Sequence, residues 1–441
     1  MVANNWNMED AAGYARAAGE NPADQQLALQ AYASRLIGRD PQLVQHGGGN
    51  TSCKVVRKDL FGRDIRVLHV KGSGHDLAFI DAAGMPGVRL DPLLALRDLD
   101  HLGDADMVNM VRSNLLDSGA PNPSVEILLH AYLPHAFINH THATAMLALA
   151  DLPDAVAAVA EIFGDTVVTV PFYMPGFALA QAAAEIYEAN PQAEGLVLLN
   201  HGHFAFSDSP EKSYDLIVRH TNMVEAWLAA KSGKTPKRAG LATPEMLAKA
   251  ADILPLLRGI LGQRNAAFTA DRDAPMPVMD LRAGPNVREF LARADVATLA
   301  GRGVATPDHV IRTKNYPLYL TAEMISGGEP DISQAIDTYT ETYTAYFIRN
   351  AARAAEPKTM LNPAPDLAWI DGVGIVGIGA DARAAGIAAD LAEQGITAMT
   401  NGEDCGGFFP VAEEQLFDME YWSLEQAKLG KAKRTELAGH V

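Results

Sequence analysis

Apolar and polar positions alternate along the first half of the chain in a way that predicts strands and helices in succession. Apolar residues at helical spacing predict a helix from about Ala11 to Ile37. Short apolar runs, which are typical of buried strands, lie at residues 65–70, 137–142, 167–170 and 195–200. Helical patterns separate these runs, so the residues predict a unit of interleaved strands and helices, which belongs to the α/β class.

Two changes in this pattern divide the chain into three predicted segments. The first covers residues 10–235 and ends in a polar linker, KSGKTPKR. Residues 240–356 have mainly helical patterns, and a stretch with three prolines separates them from residues 367–430. In the last segment a strand, a helix and a second strand at Ile396–Met399 predict a small β-α-β unit, which a long helix over Ala412–Leu429 follows.

The composition limits the partners and the compartment of the protein. Of the 441 residues, 48% are apolar and 20% are charged, which is typical of a globular protein. The formal net charge of −18 repels phosphate backbones and anionic lipids, so we expect no nucleic-acid partner and no membrane. Two cysteines cannot form a disulfide framework, and the polar N-terminal segment has no targeting pattern, so we expect a cytoplasmic protein.

Two His-x-His motifs stand at the ends of predicted strands and suggest a metal site. Alternate side chains of a strand share a face, so His140 and His142 (NHTH) point the same way, about 7 Å apart along the backbone. His201 and His203 (HGHF) follow a second buried strand. Three imidazoles from two strand ends can hold a divalent ion and leave positions open for a substrate. The alternative is that these histidines are ordinary buried polar residues.

Glu126 precedes the first histidine pair on a predicted helix. A carboxylate beside a three-histidine ion can be a fourth ligand at rest and a general base during the reaction. The alternative is a solvated glutamate that the helix dipole favours. His130 and His135, on the same helix and at its end, are interpreted as ordinary histidines.

Two glycine-rich turns, HGGGNTS at residues 46–52 and KGSG at residues 71–74, could hold an anion. Their backbone N–H groups can converge on a phosphate, with charge from Lys71 and hydrogen bonds from nearby polar side chains. The alternative is that both are plain turns. A Gly-x-Gly-x-x-Gly pattern at Gly372–Gly377 lies mostly inside a predicted strand, so a structural β-α-β unit is favoured there over a dinucleotide site.

The motifs GGGN, KGSG, PSVE, NHTH and NHG occur in an order that resembles the class II aldolase/adducin superfamily, over about residues 30–230. The resemblance implies a mostly antiparallel central sheet flanked by helices. It also implies His140, His142 and His201 as metal ligands and Glu126 as the catalytic acid/base residue. The implied phosphate-binding residues are Gly49, Asn50, Ser73, Gly74 and Ser124. Val125 departs from the pattern, because the phosphate-sugar aldolases usually have a second serine there.

The segments TPDHVIRTK and YWSLEQAKL and the ending LAGHV resemble bacterial proteins that fuse a rhamnulose-phosphate aldolase-like part to a short-chain dehydrogenase. The resemblance implies the aldolase half alone, with a missing fused dehydrogenase domain or a separate dehydrogenase partner. It also implies that His309, Arg312 and Lys314 reach the substrate.

With the candidate metal site, the resemblance implies a metal-dependent aldolase that reversibly cleaves a ketose phosphate. The candidate substrate is L-rhamnulose 1-phosphate, which would give dihydroxyacetone phosphate and an aldehyde. Zinc suits three imidazoles best, with manganese, iron or cobalt as alternatives, and we expect a homo-oligomer. A dehydratase or epimerase of the same superfamily and a non-catalytic adducin-like binding module are the alternative functions.

Overall fold

Contacts within the chain divide it into two units, Met1–Ser232 and Gly233–Val441, in this computed structural model. The structure describes residues 1–234, 241–269 and 276–424. In the first unit the strands are β1 (Asn50–Lys58), β2 (Asp64–Val70), β3 (Gly87–Arg89), β4 (Phe137–Thr141), β5 (Val167–Val170), β6 (Gly195–Leu198) and β7 (Gly202–Ser207). The helices are α1 (Met8–Ala17), α2 (Pro22–Gly38), α3 (Leu90–Leu94), α4 (Asp104–Ser113), α5 (Ile127–Tyr132), α6 (Thr144–Ala150), α7 (Ala155–Phe163), α8 (Phe177–Ala189) and α9 (Pro210–Ser232).

The seven strands of the first unit form one sheet in the order β3-β2-β1-β4-β7-β6-β5. All neighbouring strands are antiparallel except β5 and β6, which confirms the predicted α/β fold with a mostly antiparallel sheet. Every residue of β4 and β6 is buried, because helices cover the sheet and both strands lie inside it. The predicted bounds of β5 are confirmed.

The helices at the start of the chain and before β4 differ in detail from the predicted ones. The single helix predicted over Ala11–Ile37 is two helices, because Asn21 caps the N-terminus of α2 and Pro22 is its first residue. Helix α5 begins at Ile127, so Glu126 occupies its N-cap position rather than its interior. Glu126 therefore lies at the N-terminal end of this helix.

The second unit contains a smaller sheet whose strand order is β8-β11-β10-β9. Its strands are β8 (Val278–Arg282), β9 (Leu318–Leu320), β10 (Leu367–Ile370) and β11 (Gly374–Gly379). Its helices are α10 (Pro244–Thr269), α11 (Pro285–Leu291), α12 (Val296–Leu299), α13 (Pro307–Thr313), α14 (Ala322–Ser326), α15 (Glu329–Ala351), α16 (Ala382–Cys405) and α17 (Glu413–Glu420). Leu257, Ile336 and Tyr343 belong to the core beneath this sheet.

The strand predicted at Ile396–Met399 is wrong, since these residues lie inside helix α16. A four-residue apolar run is compatible with a buried strand and with a buried helix, so the run alone does not distinguish them. Here the flanking alanines continue the helix. The long helix predicted over Ala412–Leu429 is shorter, since α17 ends at Glu420 and Tyr421 is its C-cap residue; the predicted part from residue 425 lies outside the described residues. Strands β8 and β9 of the small sheet lie within residues 240–356, the segment predicted to be mainly helical. The predicted division of the chain into three segments stays a prediction.

Among the described residues no helix has the length and apolar character that a membrane crossing requires.

Candidate metal centre

Three buried histidines, His140, His142 and His201, form a compact group at the ends of β4 and β6. Each can offer one ring nitrogen such that these nitrogens all lie within 4.8 Å of one another. The ring centroids form a near-equilateral triangle with sides of 4.8, 5.2 and 5.3 Å. The strand alternation predicted from the sequence thus brings His140 and His142 to one face, and the turn after β6 brings His201 to them.

His140 is held so that one particular ring nitrogen faces the group. Its Nδ1 lies 3.1 Å from the backbone oxygen of His203 and can donate a hydrogen bond to it. Its ring also stacks on Phe204, with centroids 4.1 Å apart. Burial holds the pKa of His140 well below 6.5, so the ring is neutral at pH 7. A neutral imidazole with Nδ1 engaged presents its Nε2 lone pair to a metal.

The turn between β6 and β7 places His201 and needs a glycine after it. Asn200 adopts a left-handed backbone conformation with φ of 56°, and its side chain donates a 2.7 Å hydrogen bond to the buried carboxyl of Asp151. A Cβ on Gly202 would lie 2.9 Å from both the His140 and the His142 rings and 2.7 Å from the backbone oxygen of Thr141. The absent side chain at Gly202 therefore leaves the space that the two rings occupy.

We expect the Gly202→Ala variant to lose about 1–3 kcal/mol of unfolding free energy, because the new methyl group overpacks a site lined by backbone and two rings. The displaced imidazoles should also weaken metal binding. Chemical denaturation and metal titration measure both effects. Gly103→Ala is the control, because a Cβ there meets nothing within 4 Å. Unchanged stability and metal affinity in Gly202→Ala would contradict this role.

Glu126 lies against the histidine group. Its Oε2 is 3.5 Å from His140 Nε2, and its Oε1 is 3.8 Å from His201 Nε2. The side chain of Asn50 donates a 2.6 Å hydrogen bond to Oε2, whereas Oε1 is buried and has no hydrogen-bond partner. A carboxylate with one oxygen anchored and both oxygens within 4 Å of ring nitrogens can bind a cation or exchange a proton with a substrate.

A hydrogen-bonded chain behind Glu126 includes a histidine that the sequence reading treats as ordinary. His130 Nε2 contacts the Asn50 side-chain oxygen, and its Nδ1 lies 2.7 Å from the hydroxyl of Ser52. Burial lowers the pKa of His130 to about 3, so its ring is neutral and can donate through one nitrogen and accept through the other. His130 therefore orients Asn50, which orients Glu126. The spacing of four residues between Glu126 and His130, one helical turn, is the sequence signal that could have indicated this role.

The residues predicted to bind phosphate lie next to one another, but most of their groups are engaged within the protein. Asn50 also donates to the Ser124 hydroxyl at 3.1 Å, so both hydrogens of its amide have partners. The KGSG turn runs alongside residues 122–124, and the Ser73 N–H donates to the Asn122 oxygen. Gly74 has a φ of 79° and is exposed. Phosphate binding by this group stays a prediction.

The glycine-rich turn before β1 packs tightly against the histidine strand. Gly49 has a φ of 57°, and a Cβ there would lie 2.5 Å from the backbone oxygen of His140. Lys71 is buried, and its ammonium donates to the backbone oxygens of Gly47 and Gly48 at 2.6 and 3.3 Å. Lys71 thus holds the turn in place, a function that the sequence reading did not assign to it.

The donor set fits a divalent transition metal. Metal–nitrogen distances of about 2.0–2.1 Å in a tetrahedral site place two ligand nitrogens about 3.4 Å apart. Here His140 Nε2 and His142 Nε2 are 3.0 Å apart, and the ligand atoms of the three histidines all lie within 4.8 Å of one another. The buried oxygen of Glu126 that lacks a partner adds a negative charge where a cation would lie. Small side-chain movements would complete a site for zinc or a similar ion.

Comparison with known proteins identifies the family of both units. The family model described as "Class II Aldolase and Adducin N-terminal domain" matches residues 28–228, and the one described as "Aldolase class II, second domain" matches residues 248–429. The chain belongs to the class II aldolase/adducin superfamily. The first match contains all three histidines and Glu126, so the candidate metal centre lies in the class II aldolase N-terminal domain.

Individual relatives of this class II aldolase-family chain differ in length and source. It is 30% identical over 445 residues to an uncharacterized oxidoreductase, YuxG, of Bacillus subtilis; the match covers 97% of this chain and 60% of that protein. A class II aldolase domain from Thermoplasma acidophilum is 36% identical, covers 52% of this chain and all of that structure, and has a TM-score of 0.46. An L-fuculose-1-phosphate aldolase from Thermus thermophilus is 17% identical, covers 46% of this chain and 96% of that structure, and has a TM-score of 0.31.

Proposed function

We propose that the protein is a metal-dependent aldolase that reversibly cleaves a ketose phosphate into dihydroxyacetone phosphate and an aldehyde. L-Rhamnulose 1-phosphate is the substrate we would test first. The observation that carries the proposal is the carboxylate of Glu126, which lies 3.5 Å from His140 Nε2 and 3.8 Å from His201 Nε2 inside a buried three-histidine group. Membership of the class II aldolase superfamily supports it.

His140, His142 and His201 would hold the metal, and we propose zinc. A divalent ion there supplies a Lewis acid that stabilises negative charge on substrate oxygens. In the cleavage direction the C3–C4 bond breaks, and its electron pair stays on the dihydroxyacetone phosphate fragment. Glu126 delivers a proton to that carbon and removes it again in the direction of synthesis. The hydroxyl on C4 loses its proton and becomes the carbonyl of the aldehyde, so the atoms of the substrate are divided between two products.

The surrounding residues prepare Glu126 for this proton transfer. Asn50 anchors one carboxylate oxygen at 2.6 Å, and His130, which contacts the Ser52 hydroxyl, in turn orients Asn50. A base whose position is set before the substrate arrives needs little reorganisation in the transition state. Burial of Glu126 and of the three histidines also keeps bulk water from the proton that is exchanged.

Chelation followed by metal return tests the proposal directly. Purified protein should cleave L-rhamnulose 1-phosphate, lose this activity after dialysis against a chelator, and regain it with about one zinc ion per chain. Elemental analysis measures the metal, and a coupled assay of dihydroxyacetone phosphate measures cleavage. Cleavage that survives complete metal removal would overturn the mechanism. A metal-loaded protein that cleaves no ketose phosphate would overturn the aldolase assignment and favour a dehydratase, an epimerase or a binding module.

The Asn50→Ala variant separates a positioning role from phosphate binding. Loss of a hydrogen bond to a charged group costs about 1.5–3 kcal/mol, so we expect kcat to fall roughly 10–100-fold while bound metal stays at one ion per chain. A phosphate contact would instead raise KM with little change in kcat. The exposed Asn109→Ala is the matched control. Unchanged kcat would contradict the positioning role.

Two further proposals concern partners. The chain spans 60% of the length of its oxidoreductase relative from Bacillus subtilis. We propose that an oxidoreductase, as a separate protein or as a further domain, consumes the aldehyde product.

We also propose a homo-oligomer, in which a neighbouring subunit provides the group that exchanges the proton of the C4 hydroxyl. Light scattering of the purified protein measures the oligomeric state.

A further inference from the structure

A pocket in the second unit, separate from the histidine group, is lined by the end of α13, strand β10 and the middle of α16. The space between its walls is about 350 Å³, its open mouth included. Its walls are mainly apolar: Leu367, Leu391, Ile396 and Met399 line it together with Trp369. The pocket therefore has the mainly apolar lining that is typical of sites for small organic molecules.

Several polar atoms at this pocket are buried and have no hydrogen-bond partner. They are the side-chain oxygen of Asn315, the hydroxyl of Tyr316 and the indole nitrogen of Trp369, and all three residues line the pocket. The hydroxyl of Thr306, next to the lining residue Ala305, is also buried and has no hydrogen-bond partner. Buried polar groups in folded proteins almost always have partners, so these atoms indicate that a molecule with hydrogen-bonding groups belongs here.

The backbone at the pocket is held in a conformation that favours glycine. Lys314, which ends α13, has φ of 58° and ψ of −176°, at the edge of a region that is almost restricted to glycine. Its ammonium contacts the backbone oxygen of Ala364, lies 3.0 Å from the Asp366 carboxylate and lies 5.3 Å from the centre of the Tyr343 ring. Such strain persists only where the surroundings hold it, and it is typical of ligand sites. Here it determines where Asn315, the next residue, is placed.

A glycine in α16 keeps the pocket open. Gly395 lines the pocket and is buried, yet a Cβ built on it would meet nothing within 4 Å. Packing against the protein therefore does not require a glycine at this position. A glycine inside a helix also costs stability relative to alanine. The space beside Gly395 is thus unfilled, although the methyl group of an alanine would fit there and strengthen the helix.

The charges at the pocket balance. The ammonium of Lys314 is paired with Asp366. Burial lowers the pKa of His309 to about 4, so that its ring is neutral at pH 7. The Asn315 oxygen can accept a hydrogen bond from a ligand, the Trp369 nitrogen can donate one to it, and the hydroxyl of Tyr316 can do either. A matching ligand has no net charge, a short apolar part, a hydroxyl group and a second oxygen.

We propose that this pocket is a second binding site, which takes a small uncharged diol or hydroxycarbonyl compound. The apolar wall contacts the carbon chain. Asn315 accepts a hydrogen bond from a ligand hydroxyl, and Trp369 donates one to the second oxygen. The resemblance implied that His309, Arg312 and Lys314 contact the substrate of the aldol reaction, which stays a prediction. The site proposed here does not depend on that reaction.

Saturation-transfer NMR with propane-1,2-diol on the full chain tests the proposal. We expect a saturable signal in the millimolar range that persists after chelation and in His140→Ala, because the histidine group is not involved. Gly395→Leu fills the pocket, and Asn315→Leu removes the acceptor, so both should abolish the signal. Asn286→Leu is the matched control, since Asn286 also has a buried side-chain oxygen without a partner but does not line the pocket.

Melting curves show whether each variant folds, and we expect Gly395→Leu to melt at least as high as the original chain. If Gly395→Leu does not fold, Asn315→Leu decides by the same criterion. Absence of a saturable signal from the original chain would overturn the proposal and leave a pocket that holds only water. A signal that survives Gly395→Leu, or that disappears on chelation, would also overturn it, because the diol would then bind elsewhere.

Discussion

The His140→Ala variant is expected to lose bound metal and aldol cleavage together. His140 lies at the centre of the candidate site, where its Nε2 is 3.0 Å from His142 Nε2 and 3.5 Å from the Glu126 carboxylate. Two imidazoles remain, and they cannot form the three-nitrogen set that a catalytic metal needs. The loss should therefore exceed the roughly 10–100-fold effect of removing an outer hydrogen-bond partner of a metal ligand.

Elemental analysis and the cleavage assay, made on the same preparation, check this result. The exposed His101→Ala is the matched control and should keep both metal and activity. Melting temperature with chelator present separates metal loss from misfolding, because both proteins should melt alike when neither carries an ion. An active His140→Ala protein without metal would refute the ligand assignment.

Much of this site could be predicted because it depends on local periodicity. His140 and His142 share a face through the alternation of a strand, and His201 follows a strand that is apolar throughout. The order of five motifs resembles that of a known family, and this resemblance also supports the assignment of the three histidines as metal ligands. The mostly antiparallel order of the sheet came from that resemblance alone, since apolar runs do not reveal which strands pair.

The spacing of Glu126 and His130 places both on one helical face, but the contacts through Asn50 that orient Glu126 could not be predicted, because they depend on tertiary register. Asn50 lies opposite His140 only because β1 pairs with β4 in one particular register. His130 lies on α5, and its side chain contacts Asn50, which stands 80 residues earlier in the chain. Similarly, the apolar run at Ile396–Met399 is compatible with a strand or a helix, and the helix is favoured because α16 packs on β11 and β8.

The Glu126→Gln variant tests the proton transfer separately from metal binding. Glutamine has the same shape and can still accept the hydrogen bond from Asn50, which is 2.6 Å long in the original side chain. The three histidines are unchanged, so the variant should retain about one metal ion per chain. Glutamine cannot exchange a proton, however, and turnover should therefore fall by about 10²-fold or more.

Stopped assays of cleavage and of proton exchange into dihydroxyacetone phosphate should decline to the same extent, because both require the same group. The exposed Glu185→Gln is the matched control and should leave both rates unchanged. Full activity in Glu126→Gln would move the acid/base role to another residue. Loss of metal together with activity would instead make Glu126 a necessary ligand, since only a carboxylate that holds the ion would release it when its charge is removed.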